Sequence, residues 1–482
     1  MTGDRDRISA RYAGAVVAAM VLLAAALWND RIMAGNRLVD VVAFACGGSV
    51  MARGADPYRV QPLTGCEHAV RAPGLAWPPG ALTLPAPLPP YALAPFALAS
   101  RIAPFAIVAW SWIALNLACV ALAAAVLRRR LPELPPLTIA AFIIVATLPV
   151  GILYGQFTGV VLLAVAGCGE LLAQGKARRA ALCCAVALLQ PQVGLAPLIA
   201  LIVLVPRARL TAVACAAALG LASLWPRPAL AIEYLTQVLS AHARANLPDF
   251  SQYSLPSLLS LVHVPEAAAL LAGNVVFGLA IVAAVLLAHR IAARTGRREA
   301  IPWIAAAIGT FASPHLHFQQ LACALPGIAF AVAAEGAAPL AMLGLAAFAI
   351  PWARLGLSPI GAFAAGFATL AMFWGLVSRR AAAYAATAAT LLALGLIVAF
   401  IRTAPMVDLV AHVPVRGNPL AEVPWAQTML RMDGAMHTAA IILRVPTWIA
   451  MAACLAIVLA ALRVRRPRPE RTARDNSRSR AM

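Results

Sequence analysis

Residues 176–209 read KARRAALCCAVALLQPQVGLAPLIALIVLVPRAR, and the parity of the whole chain turns on them. Basic clusters stand at both ends: Lys176, Arg178 and Arg179 before, Arg207 and Arg209 after. In a membrane chain such clusters stay on the cytoplasmic side. The roughly 26 residues between them are too few for two full crossings, since each needs about 20 residues at 1.5 Å per residue. A single crossing would put the clusters on opposite sides. At the midpoint stands Gln190-Pro191-Gln192. Proline interrupts the helical hydrogen-bond ladder and the amides can satisfy the groups it frees, so the stretch predicts two short helices meeting at a re-entrant break.

The composition agrees with a membrane setting. Of 482 residues, 62% are hydrophobic and 12% charged, with a mean hydropathy of +0.84, which describes an all-α polytopic membrane protein without a sizeable soluble domain. The net charge of +20 is carried by short clusters at the ends of apolar runs and by the tail, so it encodes topology and not nucleic-acid binding. The broken-helix figure recurs after Arg297-Arg298, where an apolar run reaches Ser313-Pro314-His315-Leu316-His317-Phe318-Gln319-Gln320 and then continues to Glu335. Full spans are expected at about 14–28, 103–127, 137–153, 157–173, 210–225, 266–289, 338–352, 359–377, 381–401 and 439–462. That makes about ten full spans plus two broken pairs, one domain over 1–462 and a basic tail over 463–482. Both termini are then cytoplasmic. Loops 29–90, 226–265 and 402–438 are external and can wall one polar cavity.

The unusual polar groups fall on that external side. Asp40 opens the first loop after an expected span that lacks a signal-peptide cleavage pattern; a carboxylate at a water-accessible rim can take a proton from a hydroxyl. Asp56-Pro57-Tyr58 reads first as a turn and second as a sugar contact. Gln156, Gln190, Gln192, Gln252, Gln319 and Gln320 can hold sugar hydroxyls or phosphate oxygens, or tie helices together. His315 and His317 are candidates for a phosphate; one residue apart on a helix they would face differently, and His315 beside Pro314 is expected to contribute more. Arg402 and Arg416 are external cations suited to phosphate, and Trp77 suits an interfacial anchor. Asp249, His263, Asp408, His412, Glu422, Asp433 and His437 are read as solvated. Cys46 and Cys66 share the first loop and can pair in an oxidising compartment. No Gly-rich phosphate loop, Cys-x-x-Cys, His-Glu-x-x-His or Asp-x-Asp near Asp40 occurs, so no cofactor and no metal are expected.

In their order these elements resemble glycosyltransferase family 87: Asp40, Gly54-x-Asp56-Pro57-Tyr58, Trp77-Pro78-Pro79, Gly155-Gln156, Gln190-Pro191, Ser251-Gln252-Tyr253-Ser254-Leu255 and Ser313-Pro314-His315. The similarity is strongest from about 36 to 320. It implies a GT-C-like fold and inverting transfer of a sugar, mannose favoured, from a polyprenyl-phosphate donor to a lipid or cell-envelope glycan acceptor. It also implies that Asp40 is the general base and that the site faces outward from a bacterial inner membrane. Two positions depart from the pattern: Gln190 stands where family members often carry Lys, and Ser251 where they often carry Asn. The rival class is a secondary transporter or a flippase for lipid-linked sugars, because broken helices also build transport sites. The two breaks are the one echo of a repeat between the halves.

Overall fold

The computed structural model describes residues 38–70, 83–134, 154–249, 251–335 and 417–463. The regular structure of those residues is helical, with two isolated bridges and no strand among them. The helices are α1 (Val39–Ala52), α2 (Val60–Ala69), α3 (Pro90–Ile102), α4 (Phe105–Arg130), α5 (Thr158–Ala173), α6 (Ala177–Val186), α7 (Pro191–Leu204) and α8 (Pro206–Ala222). Next, α9 (Pro228–Glu233) runs through a π turn (Tyr234–Val238) into α10 (Leu239–Ala245), followed by α11 (Leu255–Leu261), α12 (Glu266–Thr295) and α13 (Ala300–Phe311). A 3-10 segment (Phe318–Ala324) continues as α14 (Leu325–Glu335), and α15 (Glu422–Ala460) closes the described chain. Proline at the first position starts α3, α7, α8 and α9, where its missing N–H has no helical partner to lose.

Among the described residues, two helices are long and apolar enough to cross a bilayer, α4 and α12, at the sites of the expected spans 103–127 and 266–289. Only 28% and 11% of their most apolar windows are buried inside the protein, so Leu115, Leu122, Leu271, Leu279 and Leu286 point outward. An apolar surface of that extent is stable against hydrocarbon and unstable against water. The expected spans 157–173 and 210–225 coincide with α5 and α8, of 16 and 17 residues. Those at 14–28, 137–153, 338–352, 359–377 and 381–401, and the tail from 464, lie outside the described residues.

Both breaks form. A 3-10 turn (Ala187–Leu189) ends α6, Gln190 leaves helical geometry at φ -122° and ψ 88°, and α7 starts at Pro191. The two ends of this pair come back together, because Lys176, Arg178, Arg179 and Arg207 line one cavity. The second pair folds the same way. Gly327 of α14 rests on the backbone of Trp303 and on Ala307, Phe330 meets Trp303 at 6.1 Å, and the Arg297 guanidinium lies 4.9 Å over the Phe330 ring. Twelve residues of α13 advance about 18 Å, well short of the hydrocarbon thickness, so this helix and its return form a hairpin tipped by residues 312–317.

The expected loops are themselves structured. Val41–Met51 carries no charge, so α1 is buried along almost its whole length instead of lying in an open loop; Gly48 lets it approach Phe96 and Ala97 of α3. A disulfide joins Cys46 of α1 to Cys66 of α2. The middle loop is α9 to α11. The last loop and last span are merged from Glu422 onward into a helix of 39 residues, about 58 Å long and nearly twice the hydrocarbon thickness. The three segments meet: Ala421 N donates to Tyr58 O at 2.9 Å, Val60 N to Pro419 O at 3.0 Å, and Arg59 pairs with Glu233.

Candidate active site

Two polar constellations stand out among the described residues. The first is built on Asp40, half-exposed in the first turn of α1, where a negative charge is favoured by the helix dipole. Gln156 Nε2 donates to Asp40 Oδ2 at 2.7 Å. The preceding Gly155 has φ 78°, and a Cβ there would overlap Val41, so only glycine lets this turn lie against the start of α1. Trp112 Nε1 fixes the turn from α4 by donating to Gly155 O at 2.7 Å. Below it Phe44, Phe96, Trp112 and Phe157 pack ring to ring. On the other side of Asp40, buried Leu38 holds a left-handed backbone, φ 57° and ψ 17°, costly for a residue with a side chain. Gly155→Ala is therefore expected to push Gln156 off Asp40 and to lower turnover by about tenfold or more, with a small loss of melting temperature; kinetics and a thermal scan of the purified variant check this.

The second constellation joins the middle segment to the tip of the second hairpin. Tyr253 N donates to Leu316 O at 2.8 Å and Phe318 N to Ser251 O at 3.3 Å, so 251–253 and 316–318 run as a short antiparallel pair. Gln252 sits inside it. Its Oε1 accepts the Leu316 N–H at 3.0 Å, which fixes Nε2 as the donor toward His315 Nδ1 at 2.9 Å and His317 Nε2 at 3.2 Å. Both imidazoles must accept there. His317 then carries its proton on Nδ1, directed at Ser251 Oγ at 3.1 Å, whose hydroxyl donates to Asp249 Oδ2 at 2.9 Å. His315 carries its proton on Nε2. These tautomers follow from the hydrogen-bond network. His242 of α10 stacks 4.8 Å from His315, and His315 lies 4.7 Å from His317. Burial, reinforced by His317, pushes the His242 imidazole down to about 3, so it stays neutral at physiological pH.

The expectation that the two histidines face apart is overturned. Residues 312–317 have left the helix, His317 is extended at φ -83° and ψ 156°, and alternation along that extended segment brings both rings onto one amide. Asp249 and Glu422, expected to be solvated, are buried. Burial pushes the Glu422 carboxyl up to about 8. Asp56 and Tyr58 form the turn: Asp56 Oδ1 accepts Tyr58 N–H at 2.9 Å, Asp56 pairs with Arg59 at 3.4 Å, and the buried Tyr58 hydroxyl donates to Leu88 O at 2.9 Å. Gln190 is buried at the first break, its Oε1 without a hydrogen-bond partner among the described residues, and Gln192 beside it is half-buried. Gln319 is buried, and Gln320 Oε1 accepts the His317 N–H. His263 is exposed in a left-handed turn. Trp77, Arg402, Asp408, His412 and Arg416, and the side chains of Asp433 and His437, lie outside the described residues.

Two functional candidates escaped the sequence. His242 shares a helix face with Asn246, whose side chain caps it and accepts from Trp425 Nε1 at 3.2 Å. Arg444, fully buried in α15, donates to Ser257 Oγ at 2.9 Å and to Asp249 O at 2.8 Å, and Trp448 Nε1 reaches Tyr253 O at 3.3 Å. An arginine in an apolar run was the available signal, since a charge at membrane depth needs a function or a partner.

No curated protein and no solved structure matches the chain. The model of glycosyltransferase family 87 matches residues 78–314, a stretch that holds Gln156, Gln190 and Gln252 and ends at the tip of the second hairpin, leaving Asp40 and His315 outside it. That match supports assigning the chain to glycosyltransferase family 87.

Proposed function

We propose that the protein transfers a sugar, mannose favoured, from a polyprenyl-phosphate donor to a hydroxyl of a lipid or cell-envelope glycan at the extracytoplasmic face of a bacterial inner membrane. The observation that carries this reading is the Asp40–Gln156 pair: an oriented, half-exposed carboxylate beside a strained residue, held by a glycine turn that admits no side chain. Asp40 takes the acceptor proton. The acceptor oxygen attacks the anomeric carbon from the face opposite the phosphate, the bond from that carbon to the phosphate oxygen breaks with its electron pair, and polyprenyl phosphate departs, inverting the configuration. The His315 Nε2–H and the Gln190 and Gln192 amides are donors for the phosphate charge, a service that needs fixed dipoles at a dehydrated site. Asp56, Tyr58 and Gln319 shape the sugar pocket, and Arg402 adds a cation. The Cys46–Cys66 disulfide suits an oxidising compartment, which supports the outward placement of this end.

The test is transfer of radiolabelled mannose from polyprenyl phosphate to a lipid acceptor by purified protein in detergent. A transporter or flippase would give no product without a sealed membrane. Within that assay, His315→Ala and His317→Ala are both expected to lose about tenfold to a hundredfold in kcat/KM for the donor, because they share the Gln252 amide. His315→Asn restoring full transfer would reduce His315 to a cap of the turn.

A further inference from the structure

The cavity at the open end of the first broken pair is lined by none of the residues assigned to glycosyl transfer. It measures about 580 Å³ and is lined by Gly175, Lys176, Ala177, Arg178, Arg179 and Arg207. Four of these six carry positive charge and none is acidic. Lys176 donates to Gln174 Oε1 at 2.7 Å, whereas Arg178, Arg179 and Arg207 are exposed and make no ion pair among the described residues. The cavity also receives the starts of α6 and α8, neither of which has a side-chain cap or an acid in its first turn. Arginine in the first turn opposes the helix dipole, and the chain places it so in both helices. An anion between them relieves both conflicts and uses the unpaired first-turn N–H groups.

The surroundings select the kind of anion. Leu182 and Val186 follow Arg178 at successive helical turns on α6, and both are exposed. On α8, Leu210 and Val213 follow Arg207 at three-residue steps and are likewise exposed. Each cationic rim thus continues directly into an outward apolar stripe, which is the pattern of a phosphate headgroup with acyl chains. We propose that this cavity binds the headgroup of an anionic phospholipid of the leaflet where the basic clusters lie, the cytoplasmic one by the positive-inside rule. Soluble phosphates share the headgroup chemistry but have no use for the stripes.

The full chain, purified in neutral detergent, would be titrated with phosphatidylglycerol, phosphatidylcholine and inorganic pyrophosphate, with bound ligand read by native mass spectrometry and melting temperature. Phosphatidylglycerol is expected to bind about tenfold or more tighter than phosphatidylcholine. That preference should fall by at least about tenfold in Arg178→Gln/Arg179→Gln/Arg207→Gln. It should persist in Arg178→Lys/Arg179→Lys/Arg207→Lys, and in a control losing three exposed cations near the end of α12, Arg290→Gln/Arg294→Gln/Arg298→Gln. Equal losses in the cavity variant and the control would overturn the site in favour of diffuse charge. Pyrophosphate binding as tightly as phosphatidylglycerol would overturn the lipid assignment. Should the triple variant not fold, Arg178→Gln and Arg207→Gln singly carry the same comparison.

Discussion

Asp40→Asn is expected to lower sugar transfer by about a hundredfold or more while the protein still folds and still binds donor. The substitution keeps volume and an acceptor oxygen, so Gln156 Nε2 can still donate across the 2.7 Å gap now spanned to Oδ2. The negative charge in the first turn of α1 is lost, which costs about 0.3–1 kcal/mol of helix stabilisation and should appear as a small drop in melting temperature. What is removed entirely is the proton acceptor. Steady-state transfer by the purified variant, beside donor binding by the same preparation, separates the two effects. Gln156→Leu should fall less, since it misorients the carboxylate without removing it. Near-normal turnover in Asp40→Asn would sink the assignment and leave the Asp40–Gln156 pair as a helix contact.

Much of the architecture was legible because membranes impose local rules. The break at Gln190 follows from two basic clusters, a length and a proline, and the structure returns Arg178 and Arg207 to one cavity. The turn at Asp56 and the pairing of Cys46 with Cys66 were likewise readable, since each depends on residues near in sequence. The failures share another physical origin. The facing expected of His315 and His317 assumed helix resuming after the Pro314 break, and a helix separates the two, whereas the observed extended pairing with 251–253 brings them together. That pairing depends on a partner more than 60 residues away, and no local propensity encodes it. Asp249 and Glu422 looked solvated for the same reason: acids in a polar stretch carry no sign of the helices that will cover them. Hydropathy also divides a loop from a span at residue 438, but α15 continues through that boundary, because a helix packed against its own protein need not stop where lipid stops.

Arg444 draws the other large expected loss. It is fully buried, and its guanidinium reaches two groups at once, Ser257 Oγ at 2.9 Å and Asp249 O at 2.8 Å. Through them it fixes both ends of the stretch that presents Ser251 and Gln252 to the histidines, and Ser257 passes the constraint to Leu247 O at 2.9 Å. A hydrogen bond to a charged donor is worth about 1.5–3 kcal/mol, and a buried acceptor left bare costs a similar amount, so Arg444→Met should destabilise by about 3 kcal/mol or more. Arg444→Lys keeps the charge but replaces the planar fork with a single ammonium that cannot hold both acceptors in this geometry. It should therefore recover part of the melting temperature and little of the transfer. Because Arg444 acts through Asp249 and Gln252, the loss in the lysine variant should fall on kcat/KM for the donor. A cycle with Ser257→Ala should show coupling of about 1–3 kcal/mol. A lysine variant that recovers stability and transfer together would make Arg444 a packing element alone, and an unchanged Arg444→Met would break the link between the last helix and the histidine cluster.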